Sequence, residues 1–109
     1  MISASFIFDE GRYDEAFHAL DAAIERAVLE TPGYLGQEQW RNEAQGRLCN
    51  VYYWSDESGL RALMQHPAHL QAKARYTEWL QGYRVVVSQV LRSYGDGLMA
   101  HPTSPQEPA

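Results

Sequence analysis

Apolar and polar residues alternate along the chain with two different periods, and these periods predict the order of its elements. Residues 2–8 place mainly apolar side chains on one side and mainly serines on the other, which is typical of a strand with one buried face. Residues 13–28 repeat apolar side chains every three or four positions and predict an amphipathic helix that ends before Pro32. Residues 34–41 and 47–54 are extended, aromatic-rich runs, and the glycine-ended turn between them predicts a hairpin.

The second half of the chain predicts two further helices and a last strand. Residues 55–58 form a polar helix-start cluster, and the short helix that follows is predicted to break at His66 and Pro67. Pro67 suits the first position of a new helix, since its missing N–H has no partner there anyway. That helix is predicted to stop at Gly82, and residues 85–94 then predict a valine-rich strand.

This order of elements predicts the fold class. Strand, helix, strand, strand, helix, strand is typical of an α+β, ferredoxin-like βαββαβ domain with its helices on one face of an antiparallel sheet. We expect the domain to cover residues 1–95 and the proline-rich residues 96–109 to form a flexible C-terminal tail. The strand over residues 47–54 is apolar on both faces, so the second face also needs cover. An identical chain is the simplest cover, and a homodimer is predicted.

Composition narrows the partners and the compartment. The chain has 109 residues, of which 45% are hydrophobic and 21% charged, as expected for one small globular domain. A net charge of -5 and scattered basic residues disfavour nucleic acid and anionic membranes as partners. Cys49 is the only cysteine, and the sequence shows neither a basic leader nor a run of about 20 apolar residues. We therefore predict a cytoplasmic protein.

Two histidines near the start of the last predicted helix are expected to differ in role. With about 100° of turn per residue, His69 shares one helix face with three aromatic residues, Tyr76, Trp79 and Tyr83. His69 is therefore either a base in a pocket or a core histidine hydrogen-bonded to its surroundings. His66 is expected to cap the helix or to stay solvated, with a place in the binding site as the alternative.

The other candidate residues leave the chemistry open. A zinc pair on a helix needs histidines four residues apart and further ligands, whereas His66 and His69 are three apart, so no metal is predicted. The aromatic residues, including Trp54 and Tyr53, are either core side chains or walls of a pocket. The acidic residues around Asp14 are expected to stabilise the start of the first helix.

Three short motifs carry a family resemblance. They are PGYLG at residues 32–36, YWSDES at residues 53–58 and HPAH at residues 66–69, joined by Ala72, Trp79 and Tyr83. Together they resemble the antibiotic biosynthesis monooxygenase (ABM) family of dimeric α+β barrel proteins, over residues 2–95. The resemblance implies two ferredoxin-like subunits that pair sheet to sheet, each with a pocket between its own sheet and its helices.

The resemblance also implies a chemistry. Such enzymes oxidise a small aromatic or quinol-like substrate with O2 and no flavin, metal or haem, so no cofactor is expected. The protein positions the substrate, removes a proton and stabilises the resulting anion. Carried to this chain, the catalytic residues are His69 as the base with Tyr83 and Trp79. The substrate-binding residues are Trp54, Tyr76, His66 and Tyr53.

Two alternatives stay open beside this interpretation. The resemblance also extends to a haem-degrading branch, whose members have an Asn on the first strand, a Trp on the short helix and an iron-binding His on the last helix. Residues 1–8 contain no Asn, while Leu63 and Lys73 occupy the other two positions, so this branch is disfavoured unless His69 serves as a shifted ligand. The other alternative is a non-catalytic dimer that binds a small molecule, since a fold does not determine a function.

Overall fold

The computed structural model describes residues 1–104 of the chain. In that part of the chain, a four-stranded sheet carries three α-helices, and a short 3-10 turn precedes the last strand. Their bounds are β1 Ile2–Glu10, α1 Glu15–Leu29, β2 Tyr34–Asn42, β3 Arg47–Trp54, α2 Glu57–Gln65, α3 Pro67–Arg75, the 3-10 turn Tyr76–Glu78 and β4 Leu80–Gln89. Within the described residues, no helix is both long enough and apolar enough to cross a membrane.

The sheet is antiparallel throughout and has the strand order β2-β3-β1-β4. In β1, Ala4 lies opposite Tyr52 of β3 and Val87 of β4, and residues that lie directly opposite each other share a face of the sheet. The hairpin between β2 and β3 turns through Gly46, whose φ of 62° favours glycine. This arrangement confirms the predicted α+β, ferredoxin-like fold.

Polar side chains fix the start of each helix. The Asp14 carboxylate accepts a hydrogen bond of 2.9 Å from Phe17 N at the start of α1, and Asp56 accepts one of 2.8 Å from Ser58 N at the start of α2. His66 Nδ1 accepts a bond of 3.1 Å from Ala68 N at the start of α3. Each cap satisfies a backbone N–H that has no partner inside its helix, so the helices begin near the predicted positions.

The hydrophobic core lies between the sheet and the helices. Val28 of α1, Trp54 of β3 and Leu63 of α2 are fully buried there. The Trp54 indole also finds a partner, since its Nε1 donates a hydrogen bond of 2.8 Å to Thr31 Oγ1. The core is concentrated at the end of the sheet near Ile2, which leaves room at the other end.

The prediction of one helix from Pro67 to Gly82 is wrong. The α-helix ends at Arg75, a 3-10 turn follows, and β4 begins at Leu80. The strand starts early because Gly82 and Tyr83 pair with β1, opposite Asp9 and Phe8, which provides backbone partners that a longer helix would lose. Tyr83 therefore lies on β4 rather than on a helix, and β4 ends at Gln89, before the predicted end of the strand.

The C-terminal segment contacts the open face of the sheet, the face without helices. His101 Nε2 lies 2.9 Å from Glu38 Oε1 of β2, and the His101 ring packs edge-on against Tyr53 of β3. Thr103 is only 2% exposed and lies 2.6 Å from Ser93 through its hydroxyl. Composition alone did not predict these contacts for the tail. Residues 105–109 of the predicted tail lie outside the described residues.

Candidate functional site

A cavity of about 540 Å³ lies between the sheet and helices α1 and α3. This volume is in the usual range for sites that bind small organic molecules. Most of its lining is apolar or aromatic and includes Phe6, Phe8, Phe17, Ile24, Tyr52 and Trp79. A flat, aromatic molecule would therefore find matching surfaces on several sides.

Strand alternation explains why these side chains face the cavity. Phe6 and Phe8 follow Ile2 and Ala4 on the helix-covered face of β1, since successive side chains of a strand point to opposite faces. Ile2 and Ala4 are buried in the core, whereas Phe6 and Phe8 line the cavity. The apolar pattern of β1 that predicted a strand thus also builds the floor of the site.

His69 of α3 lines the cavity and is half-buried. Its Nδ1 is buried and has no hydrogen-bond partner among the described residues, and its ring contacts Phe6 edge-on at 6.2 Å between centroids. Burial lowers the pKa of His69 from its usual 6.5, and the nearby charge of Lys73 lowers it further. The imidazole is therefore neutral near pH 7 and can accept a proton.

Trp79 closes one end of the cavity. Its indole is almost completely buried, and its Nε1 donates a hydrogen bond of 3.0 Å to Asp14 Oδ1 at the start of α1. Gly11 permits this closure, because a Cβ at that position would lie 2.2 Å from the carbonyl oxygen of Trp79. The indole N–H is already occupied, so Trp79 contributes a wall rather than a hydrogen-bond donor.

Tyr76 and Tyr83 form an aromatic pair at the side of the cavity. Their rings pack edge-on with centroids 4.9 Å apart, although Tyr76 is on the 3-10 turn and Tyr83 on β4. Neither hydroxyl makes a hydrogen bond with another described residue, and Tyr83 is 51% exposed. Both phenols can therefore donate to a ligand at the cavity mouth.

Three of the predicted site residues lie outside the cavity. Trp54 is buried in the core beside Thr31, and His66 caps α3 through its Nδ1. Tyr53 is on the opposite face of the sheet, where its hydroxyl donates a hydrogen bond of 2.8 Å to Glu38. The structure thus brings His69, Tyr76, Trp79 and Tyr83 together and leaves these three apart.

Sequence reasoning missed two charged residues of the cavity lining, Asp21 and Lys73. Asp21 lies four residues after Phe17 on α1, inside the apolar stripe, and Lys73 lies four residues after His69 on α3. That spacing places each charge on the face of its helix that meets the cavity. A charged residue within an apolar stripe was the signal that could have identified both.

The described residues contain no group of three or more histidine, cysteine or acidic side chains that could hold a metal ion. Among the described residues, the charge that lowers the pKa of His69 is that of Lys73. The residues that line the cavity can instead position an aromatic ring, accept a proton at His69 and interact with polar groups at Asp21, Lys73 and the two tyrosines.

Comparison with known proteins shows the fold. No family model matches the sequence, and no curated protein matches it either. Rv0793 from Mycobacterium tuberculosis superposes with a TM-score of 0.70 at 18% identity, over 86% of this chain and 98% of that one. SnoaB from Streptomyces nogalater, a cofactor-independent oxygenase, has a TM-score of 0.67 at 13% identity, over 84% and 94% of the two chains.

A third similar structure bears the family name. A Deinococcus radiodurans protein with the provisional name antibiotic biosynthesis monooxygenase superposes with a TM-score of 0.67 at 14% identity, over 91% of this chain and 98% of that one. Identities this low describe the backbone and not the chemistry. The chain therefore has the α+β fold of antibiotic biosynthesis monooxygenases and of the cofactor-independent oxygenase SnoaB.

Proposed function

We propose that the protein is a cofactor-independent monooxygenase that oxidises a small aromatic or quinol-like substrate with O2. The observation that carries this proposal is the aromatic-lined cavity of about 540 Å³ with a neutral, half-buried His69 in its wall. Such a cavity can hold a planar substrate, and a neutral imidazole can take a proton from it. The shared fold with SnoaB supports the same reaction class.

The proposed reaction needs no electron donor besides the substrate. His69 removes a proton from an activated ring CH2 group, and the negative charge spreads over the aromatic system. The carbanion passes electrons to O2 and forms a C–O bond, and the proton held by His69 returns to the terminal oxygen, which gives a hydroperoxide and the neutral imidazole. Loss of water from the hydroperoxide breaks the O–O bond and leaves a carbonyl, so CH2 and O2 are converted to C=O and H2O.

The other cavity residues have supporting roles in this proposal. Trp79 and Phe6 hold the flat substrate beside His69, and both lie in the cavity wall. The free hydroxyls of Tyr76 and Tyr83 can donate hydrogen bonds to an oxygen that becomes negative as the proton leaves. Substrate-binding roles for Trp54, His66 and Tyr53 have no support from the cavity, because all three lie outside it.

Oxygen consumption with dihydroxyaromatic and anthrone-type compounds tests the proposal. His69→Ala should lower kcat by about 100-fold or more, which is the usual contribution of a general base. His18→Ala is the matched control, since His18 is exposed on α1 and does not line the cavity. An unchanged rate in His69→Ala would remove His69 from the mechanism. A Soret shift and bleaching on addition of haem and reductant would instead favour the haem-degrading alternative.

We further propose that the protein is cytoplasmic. We also propose that it is a homodimer whose subunits pair through the open faces of their sheets. Trp40 is 62% exposed on that face and Val86 is 42% exposed, and Val51 lies between their strands. An apolar surface of this kind is typical of protein contacts. Analytical ultracentrifugation should show a dimer that Val51→Arg converts to a monomer, whereas Ala62→Arg on the exposed side of α2 should leave it intact. A wild-type monomer would refute the pairing.

A further inference from the structure

Two opposite charges line the cavity without pairing. Asp21 of α1 and Lys73 of α3 both belong to the lining, and neither forms a salt bridge or hydrogen bond with another described residue. Arg84 of β4 also belongs to the lining, but it lies opposite Ile7, so its side chain is on the face of the sheet without helices. Lys73 is also the only lysine in the chain. By contrast, the cations of Arg41, Arg47 and Arg75 are each bound to a carboxylate. The two cavity charges are thus available to a ligand.

Asp21 and Lys73 act on different parts of the cavity wall. The charged groups around Asp21 are Glu25 and His18 of the same helix, and Glu25 is itself bound by Gln37 and Tyr52. Lys73 lies one helical turn after His69, and its charge contributes to the lowered pKa of His69. A ligand that reaches both charges must therefore extend from one helix to the other.

The surface between the two charges is aromatic. Phe17 belongs to α1, one turn before Asp21, and packs edge-on against Trp79 with centroids 5.6 Å apart. Phe6 supplies the floor between the helices and contacts the His69 ring. Fused aromatic rings match such a surface, and their polar substituents would lie at its two ends.

We propose that Lys73 and Asp21 determine ligand specificity in the cavity, Lys73 by binding an anionic oxygen and Asp21 by accepting a hydrogen bond from a hydroxyl at the other end of the ligand. This inference rests on the proposed function and adds two specificity-determining residues to it. Because Lys73 adjoins His69, the anionic end lies beside the base, where an ammonium group stabilises the negative charge that proton removal creates. The carboxylate of Asp21 selects for ligands that carry a hydroxyl at the opposite end.

Three naphthalene probes separate the two contacts. 6-Hydroxy-2-naphthoate carries both groups, 2-naphthoate carries only the anion and 2-naphthol carries only the hydroxyl. Isothermal titration calorimetry should give the first the lowest Kd, by about five- to twentyfold over either of the others. The ratio of two Kd values measured on one variant gives the contribution of one ligand substituent to binding. Changes in the fold of that variant affect both probes alike and cancel in the ratio.

Each substitution should remove one preference only. Asp21→Ala, which leaves no side-chain acceptor, should bring the Kd ratio of 2-naphthoate to 6-hydroxy-2-naphthoate close to one, and Lys73→Met should do the same for the ratio of 2-naphthol to 6-hydroxy-2-naphthoate. Lys73→Arg should restore most of the second preference, since it keeps the charge. Glu15→Ala and Arg26→Met are matched controls outside the cavity and should leave both ratios unchanged.

Selective chemistry at the lone lysine provides a second readout. An amine-reactive reagent should label Lys73 in the free protein, and saturating 6-hydroxy-2-naphthoate should slow that labelling about tenfold or more, as expected for a group engaged by ligand. Equal ratios in wild type and both variants, or no binding of any probe, would overturn the inference. Because binding is measured without turnover, O2 consumption that depends on His69 would then leave the proposed function standing.

Discussion

The polar contacts on the open face of the sheet differ from those of two charged residues that line the cavity. On the open face, Glu38 accepts hydrogen bonds from Tyr53 and contacts His101, and Arg47 is bound to Asp9. On the helix-covered face, the cavity groups Asp21 and Lys73 have no partner among the described residues. Paired groups on a surface hold a segment in place, whereas unpaired groups around a cavity can bind a ligand.

The pKa values follow the same contrast. Burial and the bond to Glu38 raise the pKa of Tyr53 to about 12, so that its hydroxyl remains a donor in a structural contact. Burial lowers the pKa of His69, and no hydrogen bond compensates for the loss of solvent. On the open face the Tyr53 hydroxyl thus stays protonated, while the cavity contains an imidazole, that of His69, that can accept a proton.

Filling the cavity should have the largest effect on ligand binding. Ala72→Trp places an indole in the cavity from α3 and should weaken binding of 6-hydroxy-2-naphthoate by about 100-fold or more, since the ligand loses its volume and its contacts. Ala74→Trp on the exposed side of the same helix is the control and should bind as wild type does. Equal affinities in calorimetry would show that the ligand binds elsewhere.

The pH dependence of the free energy of unfolding should show the lowered pKa of His69. The folded pKa is below the unfolded value of 6.5, so the unfolded chain takes up the proton first as the pH falls. The free energy of unfolding should therefore fall below about pH 6.5, by at most about 1.4 kcal/mol per pH unit for one proton, until the folded pKa is passed.

A His69→Gln variant isolates this contribution. In urea unfolding, the difference in stability between wild type and this variant should change with pH below about 6.5 and become constant above about pH 7.5. A constant difference over the whole range would mean that the folded and unfolded pKa values are equal. Because His69 acts as a base only when it is neutral, kcat/KM should stay nearly constant from pH 7 down to the folded pKa of His69. Below that pKa, kcat/KM should fall.

Removal of the Glu38 carboxylate should give the smallest effect and leave the cavity unaffected. Glu38→Gln weakens the contacts with Tyr53 and His101, each of which is worth about 1 kcal/mol or less at this partly exposed position. Amide hydrogen exchange of His101, Thr103 and Ser104 should become faster, while the Kd of 6-hydroxy-2-naphthoate should stay the same. A change in that Kd would show that the two faces are coupled.

The sequence predicted the fold better than it predicted the site. Periodicity and caps at Asp14 and Asp56 are local signals, and they placed the first three strands and the first two helices. The end of α3 depended on the pairing of β4 with β1, which is a long-range contact. Tyr83 nevertheless reached the cavity from β4, because the short turn after Arg75 brings that strand back beside α3.

Local signals in the sequence also identified only some of the site residues. His69 could be predicted from its place in an apolar stripe, but Tyr53 could not be excluded, because strand alternation does not say which face the helices cover. Asp21 was missed because an exposed acidic residue on a helix is usually solvated. The packing of α1 and α3 over the same end of the sheet shows that Asp21 lines a cavity.

The contrast between the two faces is tested most directly by a crystal structure of the complex with 6-hydroxy-2-naphthoate. We expect the rings to lie in the cavity between α1, α3 and the sheet, with the carboxylate near Lys73 and one ring edge beside His69. The open face should carry no ligand. Density for the ligand on the open face, with the cavity filled only by solvent, would contradict the account.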